Sequence, residues 1–376
     1  MRALTRQRAF TLLEVMLSLG VFAIVSVLLM DMMVRQSRSY TVVDNVAEAQ
    51  EKVRAVASLM EQEVRGTGFL VPIGGVFCGY DTAAAPDGDT DVFYVSNTEA
   101  LTPPPPPPAP PTSSFERFAT VTSAVPAGGI GVGTQTLTIN NLVLDAPAFY
   151  DLNGDAIGDS DFRGPTGAGS PAAQQGGVIV FDAGDPAKGA ACGRITSINL
   201  GGSTVTVDFT SAGAAPGGTP LGPAPYGSLA VVPAHGYWIN VLAGVPRLMR
   251  DGIVMAEDVE DLQVAAFFDA LDDGIITALG PLAPLPWHNA AEYPGSAAVG
   301  SAYISGARDN SELREIRVTV VARTRSEDPD VVLRPALANY FQQRPENRVI
   351  LGVLAADGFR RRAVTMAIAP RNVLMR

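Results

Sequence analysis

Residues 10–30, FTLLEVMLSLGVFAIVSVLLM, form an apolar run whose single charge is Glu14. No other segment constrains the fold as tightly. At 1.5 Å rise per residue, a helix of this length reaches about 30 Å, one bilayer core. Arg2, Arg6 and Arg8 precede it. That basic head is expected to stay in the cytoplasm, with the rest of the chain exported. An ordinary secretory signal would have a shorter apolar core, about 7–15 residues, followed by a small-residue cleavage site. Here the run is longer and leads directly into a helical pattern. A carboxylate within such a run marks a functional position, or else reaches up to the headgroups from near the start of the span.

Beyond the apolar run, Val42, Val46, Ala49, Val53, Val56 and Met60 are spaced alternately by four and three residues. That is a helical stripe. Glu48, Gln50, Glu51, Lys52, Arg54, Glu61 and Glu63 fall mainly outside it, and no proline occurs from 10 to 70. Gly66 and Gly68 then supply C-terminal caps. The expected element is one helix over about 10–65. Residues 10–30 form its membrane or filament-core half. Residues 31–66 form an amphipathic half that packs its stripe on a globular head.

The remainder, 67–376, predicts β structure. Alternating or β-branched runs recur at 91–96, 118–125, 134–140, 177–183, 194–200, 204–210, 228–234, 237–243, 262–270, 313–324 and 363–369, with turn residues between them. The expected fold class is therefore α+β: a long N-terminal helix on a large antiparallel β-rich head, of one domain or two. LTPPPPPPAPPT (101–112) has no place inside a sheet and reads as a stiff, exposed polyproline II loop. Residues 212–227 and 279–295 read as further Pro-rich loops.

Cys78 and Cys192 are the two cysteines. An even count in an exported chain favours a disulfide between them over two buried thiols. In YDLNGDAIGDSDF (150–162), Asp151, Asn153 and Asp155 alternate, with Asp159 and Asp161 following. Oxygen ligands at every second position resemble the first half of a calcium loop. Ala156 stands where that loop needs glycine, and Phe162 stands where it needs a closing carboxylate. Calcium binding and a solvated turn with local Asp and Asn backbone bonds both remain open. The acidic turn at 268–274 is a weaker case.

Catalytic signatures are missing. Two histidines, His235 and His288, stand alone, and no nucleophile-elbow, zincin, P-loop or dinucleotide motif occurs. No enzyme activity and no firm cofactor are expected, calcium apart. The formal net charge of −11 argues against a phosphate-neutralising surface, so nucleic acid is not an expected partner.

The N-terminal string Ala9, Phe10, Thr11, Leu12, Leu13, Glu14 resembles the class III signal of type IV pilins and pseudopilins. The resemblance implies that 1–9 is a leader. A prepilin peptidase would cut between Ala9 and Phe10, and Phe10 would be N-methylated. The usual residue before the cut is glycine; alanine stands here. Cleavage leaves an amine on Phe10 that is buried when helices stack into a filament. The Glu14 carboxylate of a neighbouring subunit is its implied partner, in a pair that sets register.

Farther along, VPRLMRDGIVMAEDVEDLQVAAFFDALDDG (245–274), LREIRVTVVARTRSED (313–328), RRRAVTMAIAPRN (360–372) and VRGTGF (64–69) followed by Cys78 resemble the PilW family of minor pilins. The acidic turn of Asp269, Asp272, Asp273 and Gly274 is less regular than that family's. This resemblance implies a single-pass inner-membrane protein with its head in the periplasm, later extracted to the pilus tip. The implied partners are other minor pilins, the major pilin and a tip adhesin. A J-type pseudopilin of type II secretion shares the signal and the head style. A membrane-anchored periplasmic binding or adhesion protein that never polymerises is the alternative from another class.

Overall fold

The computed structural model describes residues 11–68, 71, 73–81, 90–96, 119–123, 129–131, 133–139, 176–185, 188–199, 204–209, 221, 224–268, 313–328 and 358–370. The chain divides into two units, Met1–Glu48 and Ala49–Arg376. One helix, α1 (Leu12–Gly66), contributes to both.

Over residues 15–30, in the first unit, α1 carries no charge and turns apolar side chains to every side. Leu12 is 79% exposed, Phe22 70% and Met33 72%, and the side chains between them follow suit. A helix of that kind needs lipid or other helices around it. The apolar stretch gives way to polar residues at Asp31, whose carboxylate receives Arg35 Nε at 2.8 Å.

In the second unit α1 becomes amphipathic. Ala49, Val53, Val56, Ala57, Met60 and Val64 are buried. Four of these continue the predicted stripe, whereas Val42 and Val46 in the first unit are only half-buried. The helix ends at Gly66, and Gly68 takes φ 83°, a left-handed conformation costly for a side-chain-bearing residue. Its N–H donates to Ser96 Oγ at 2.9 Å, while Thr67 Oγ1 donates to the Val76 carbonyl at 2.9 Å. The exit from the helix is thereby tied to the sheet.

The strands are β1 (Phe77–Asp81), β2 (Asp91–Ser96), β3 (Ala119–Thr120), β4 (Thr134–Thr138), β5 (Gly177–Asp182), β6 (Ala190–Asn199) and β7 (Thr204–Asp208). They continue with β8 (Leu229–Leu242), β9 (Val245–Arg250), β10 (Ile253–Glu257), β11 (Val259–Phe268), β12 (Leu313–Arg323) and β13 (Arg361–Ile368). All pairings are antiparallel. The larger sheet runs β1-β2-β8-β5-β6-β7-β4, with β3 and β9 also on β8 and β10 on β9. The smaller runs β11-β12-β13.

β8 is the spine. It pairs with β5 and β3 through its first half, with β2 across 234–237 and with β9 from 237 onward. Two strands, 228–234 and 237–243, were the expectation; the structure has one. Gly236 does not turn the chain, because the Tyr94 ring lies on it: a Cβ at 236 would sit 2.5 Å from Tyr94 Cε1. Of the strand expected at 118–125, the described residues show β3 and a single bridge, Val121 to Ile139.

Both faces of the larger sheet are covered. Phe77, Phe93, Val95 and Tyr237 join the buried face of α1 and the smaller sheet in one cluster. Their neighbours Cys78, Val92 and Tyr94 point the other way, into a cluster with Ile179, Phe181 and Val232. A third cluster gathers Leu137, Val178, Val180, Ile195, Val205 and Val231.

The larger sheet is rolled, and Cys78–Cys192 marks the roll. Four strand-to-strand steps separate β1 from β6, which in a flat sheet is about 19 Å. The two Cα atoms are 6.0 Å apart, and a disulfide joins their sulfurs.

A polar knot closes the β5–β6 connection. The buried Asp182 carboxylate accepts N–H bonds from Gly184 (3.0 Å), Gly227 (2.8 Å) and Ser228 (2.9 Å), and Lys188 Nζ at 3.0 Å. Burial pushes its pKa up, but the Ser228, Gly227, Lys188 and Gly184 donors outweigh it and bring the carboxyl from 3.8 to about 2. A depressed carboxylate stabilises the fold above its unfolded pKa, and that contribution is lost as pH falls through the folded one. We expect Asp182 to contribute about 2 kcal/mol at neutral pH, lost between about pH 4 and pH 2. Thermal melts of wild type and Asp182→Asn across that window should converge on acidification. A gap that stays constant contradicts the assignment.

Candidate functional site

Two places in the described structure gather polar groups of potential functional weight. The first is the start of α1. Thr11 is the helix N-cap and Glu14 lies one turn in. Thr11 N–H donates to Glu14 Oε2 at 2.9 Å, and Glu14 N–H is 3.3 Å from Thr11 Oγ1. The Thr11 hydroxyl also donates to Glu14 Oε2 at 3.1 Å. This is a reciprocal capping box, in which each side chain satisfies a backbone N–H that the first helical turn leaves open. The T-x-x-E spacing carried that signal, and the sequence reading passed over it. Glu14 therefore has a local structural role within its own chain. The box holds the Glu14 carboxylate at the very front of the apolar helix.

The second place is His235. It is buried on β8, its Nδ1 hydrogen-bonded to Asp251 Oδ2. Asp251 Oδ1 also receives Gly236 N–H at 2.9 Å. Arg250 Nη2 lies 3.1 Å from His235 Nε2 and 2.8 Å from Glu63 Oε1 on α1. Arginine only donates, so Nε2 accepts and Nδ1 carries the proton toward Asp251. Asp251 itself takes φ 51° in the tight β9–β10 turn. Both ring nitrogens are engaged, and the chain of contacts Asp251–His235–Arg250–Glu63 fastens the end of α1 to β8 and β9. That is a structural tie, not the geometry of a general base facing a substrate.

The other candidates distribute plainly. Ala9 and Phe10 lie outside the described residues. So do Asp151, Asn153, Asp155, Asp159, Asp161, the acidic turn from 269 on, His288 and the polyproline stretch 101–112. Among the described residues no group of three or more His, Cys, Asp or Glu side chains is placed to hold a metal. Cys78 and Cys192 form a structural bond in an apolar cluster.

α1 is long and apolar enough to cross a membrane, and none of its most apolar stretch is buried. Residues 4–30 match the family described as the prokaryotic N-terminal methylation motif. The chain has a type IV pilin-like N-terminus. That stretch takes in the Ala9–Phe10 junction, the Thr11–Glu14 box and the exposed apolar part of α1. No curated protein and no solved structure matches the chain. The motif implies processing by a prepilin peptidase and pilus-type assembly, and with the apolar helix it supports membrane anchoring. Behind it stands the α+β architecture expected of a pilin-like protein: a long helix and a large antiparallel head.

Proposed function

We propose that this chain is a minor pilin of the PilW kind, placed at or near the tip of a type IV pilus. There it primes or caps assembly together with other minor pilins and the major pilin. The observation that carries the reading is the methylation motif fused to a capped helix whose first part is an exposed apolar run. The work is association rather than catalysis. Before assembly the helix anchors the chain in the inner membrane with the head in the periplasm. A prepilin peptidase removes residues 1–9, and Phe10 becomes the methylated N-terminus. The apolar first half of α1 then exchanges lipid for other helices, and Glu14 of one subunit pairs with the Phe10 amine of another. The large head is bulky for repeated packing along a shaft, which favours an end position, where it meets other subunits or a tip adhesin and supports motility or adhesion.

Deletion of the gene tests this. A strain without the chain should lose surface pili and twitching while secreting its exoproteins normally. Retained pili with lost exoprotein secretion would instead identify a J-type pseudopilin. Retention of both would point to an anchored protein that does not polymerise.

A further inference from the structure

We propose that the head carries a pocket for an acidic side chain of a partner protein, built between α1 and β13. The cavity holds about 310 Å³ and is lined by Gln50, Val53 and Arg54 from the helix and by Arg362, Ala363 and Val364 from the strand. Two arginines therefore line one hollow, in a chain whose Asp and Glu outnumber Lys and Arg by 38 to 27.

The neighbours of these arginines show what is unusual about them. β13 is entered through Arg360, Arg361 and Arg362. Arg360 Nε donates to Asp328 Oδ2 at 2.7 Å, and Arg361 Nη2 donates to Glu260 Oε2 at 3.2 Å. Arg362, between the same elements, has no carboxylate among the described residues. Its Nη1 reaches the Arg361 carbonyl at 3.3 Å, and its Nε is shielded from solvent with no acceptor. Arg54 pairs with no carboxylate among the described residues either. Two arginines that line one hollow with no carboxylate among the described residues repel each other, and an incoming carboxylate offsets that repulsion. Arginine presents donors in a planar fork, so two of them with the Gln50 amide make a site selective for an oxyanion.

The walls argue that the anion arrives on a side chain. Val53, Ala363 and Val364 give the cavity an apolar flank, suited to the methylene stem of a glutamate. The volume sits at the lower end of pockets that take small organic groups, about 300–1,000 Å³, and is generous for a lone inorganic anion. Nothing in this inference requires that the chain polymerise.

The test uses the full-length protein in detergent. Fluorescently labelled hexaglutamate should bind, as read by anisotropy, and hexaglutamine should not. Arg54→Gln combined with Arg362→Gln should weaken hexaglutamate binding by about tenfold or more, while Arg247→Gln, at an ion pair with Glu257 outside the pocket lining, should leave it unchanged. Melting curves check that each variant folds. Should the double variant not fold, Arg54→Gln alone, on the exposed helix surface, still has to weaken binding. Three results overturn the proposal. They are no binding of hexaglutamate to wild type, equal loss in Arg247→Gln, or inorganic phosphate binding as tightly as the peptide, which would make this a free-anion site.

Discussion

Replacing Cys78 and Cys192 by alanine should cost about 4–5 kcal/mol of stability. The bond spans 114 residues of sequence, and a loop that long carries a large closure entropy in the unfolded chain. Its place in the fold adds a second reason. It joins β1 at one edge of the larger sheet to β6, with β2, β8 and β5 between them in the pairing order. Without it, the roll of the sheet rests on non-covalent packing, among it the apolar cluster of Val92, Tyr94, Ile179, Phe181 and Val232. Alanine is the right replacement because both sulfurs are fully buried, and a serine hydroxyl there would add a desolvation cost of its own. Urea denaturation of the full-length protein in detergent should show a markedly lower midpoint for the double variant. Equal midpoints would mean that the bond does not constrain the unfolded chain.

Glu14→Ala should leave the protein exported and cleaved but reduce its recovery in sheared filaments by about tenfold or more, since removing one partner of a buried pair strands the other charge. The capping box complicates that experiment and also supplies its control. Thr11→Ala removes the cap hydroxyl, which costs about 1 kcal/mol of helix stability, but keeps the carboxylate. Glu14→Gln keeps an acceptor for Thr11 N–H but removes the charge. If pairing with a neighbour's amine is what matters, Glu14→Gln should fail like Glu14→Ala and Thr11→Ala should assemble. If Glu14 serves only as a cap, Glu14→Gln should assemble near normally. Immunoblots of filament fractions against total cell protein read the difference.

Much of the architecture was legible in the residues. The membrane-length helix announced itself by its apolar run, and its second half by the Val53, Val56, Met60 stripe, because each is a periodicity that burial on one face imposes. The strands at 91–96, 134–140, 177–183, 204–210 and 313–324 were read within a residue or two. What alternation missed, it missed for a physical reason. The first part of β8 is buried on both faces, so it reads as a continuous apolar run with no period to count. The length of β8 was hidden for the same reason: the two expected runs leave 235–236 between them, where Gly236 is a flat surface for Tyr94. β1, with its Cys-Gly centre, was passed over because it is short and its side chains serve two different clusters.

At the candidate site the balance differs. The Glu14 anomaly was visible, but its local partner Thr11 went unread although T-x-x-E spells it out. The Arg54–Arg362 hollow joins a helix and a strand more than 300 residues apart in sequence. No local pattern encodes such a meeting. It exists only in the fold, where Arg360 and Arg361 have carboxylate partners and Arg362 has none among the described residues.

The mature N-terminus tests the central claim most directly. Mass spectrometry of the protein isolated from a strain with its prepilin peptidase should find N-methylphenylalanine at position 10, with residues 1–9 gone, and the uncleaved chain when that peptidase is deleted. An intact Met1 leader in both strains would contradict the pilin-like account.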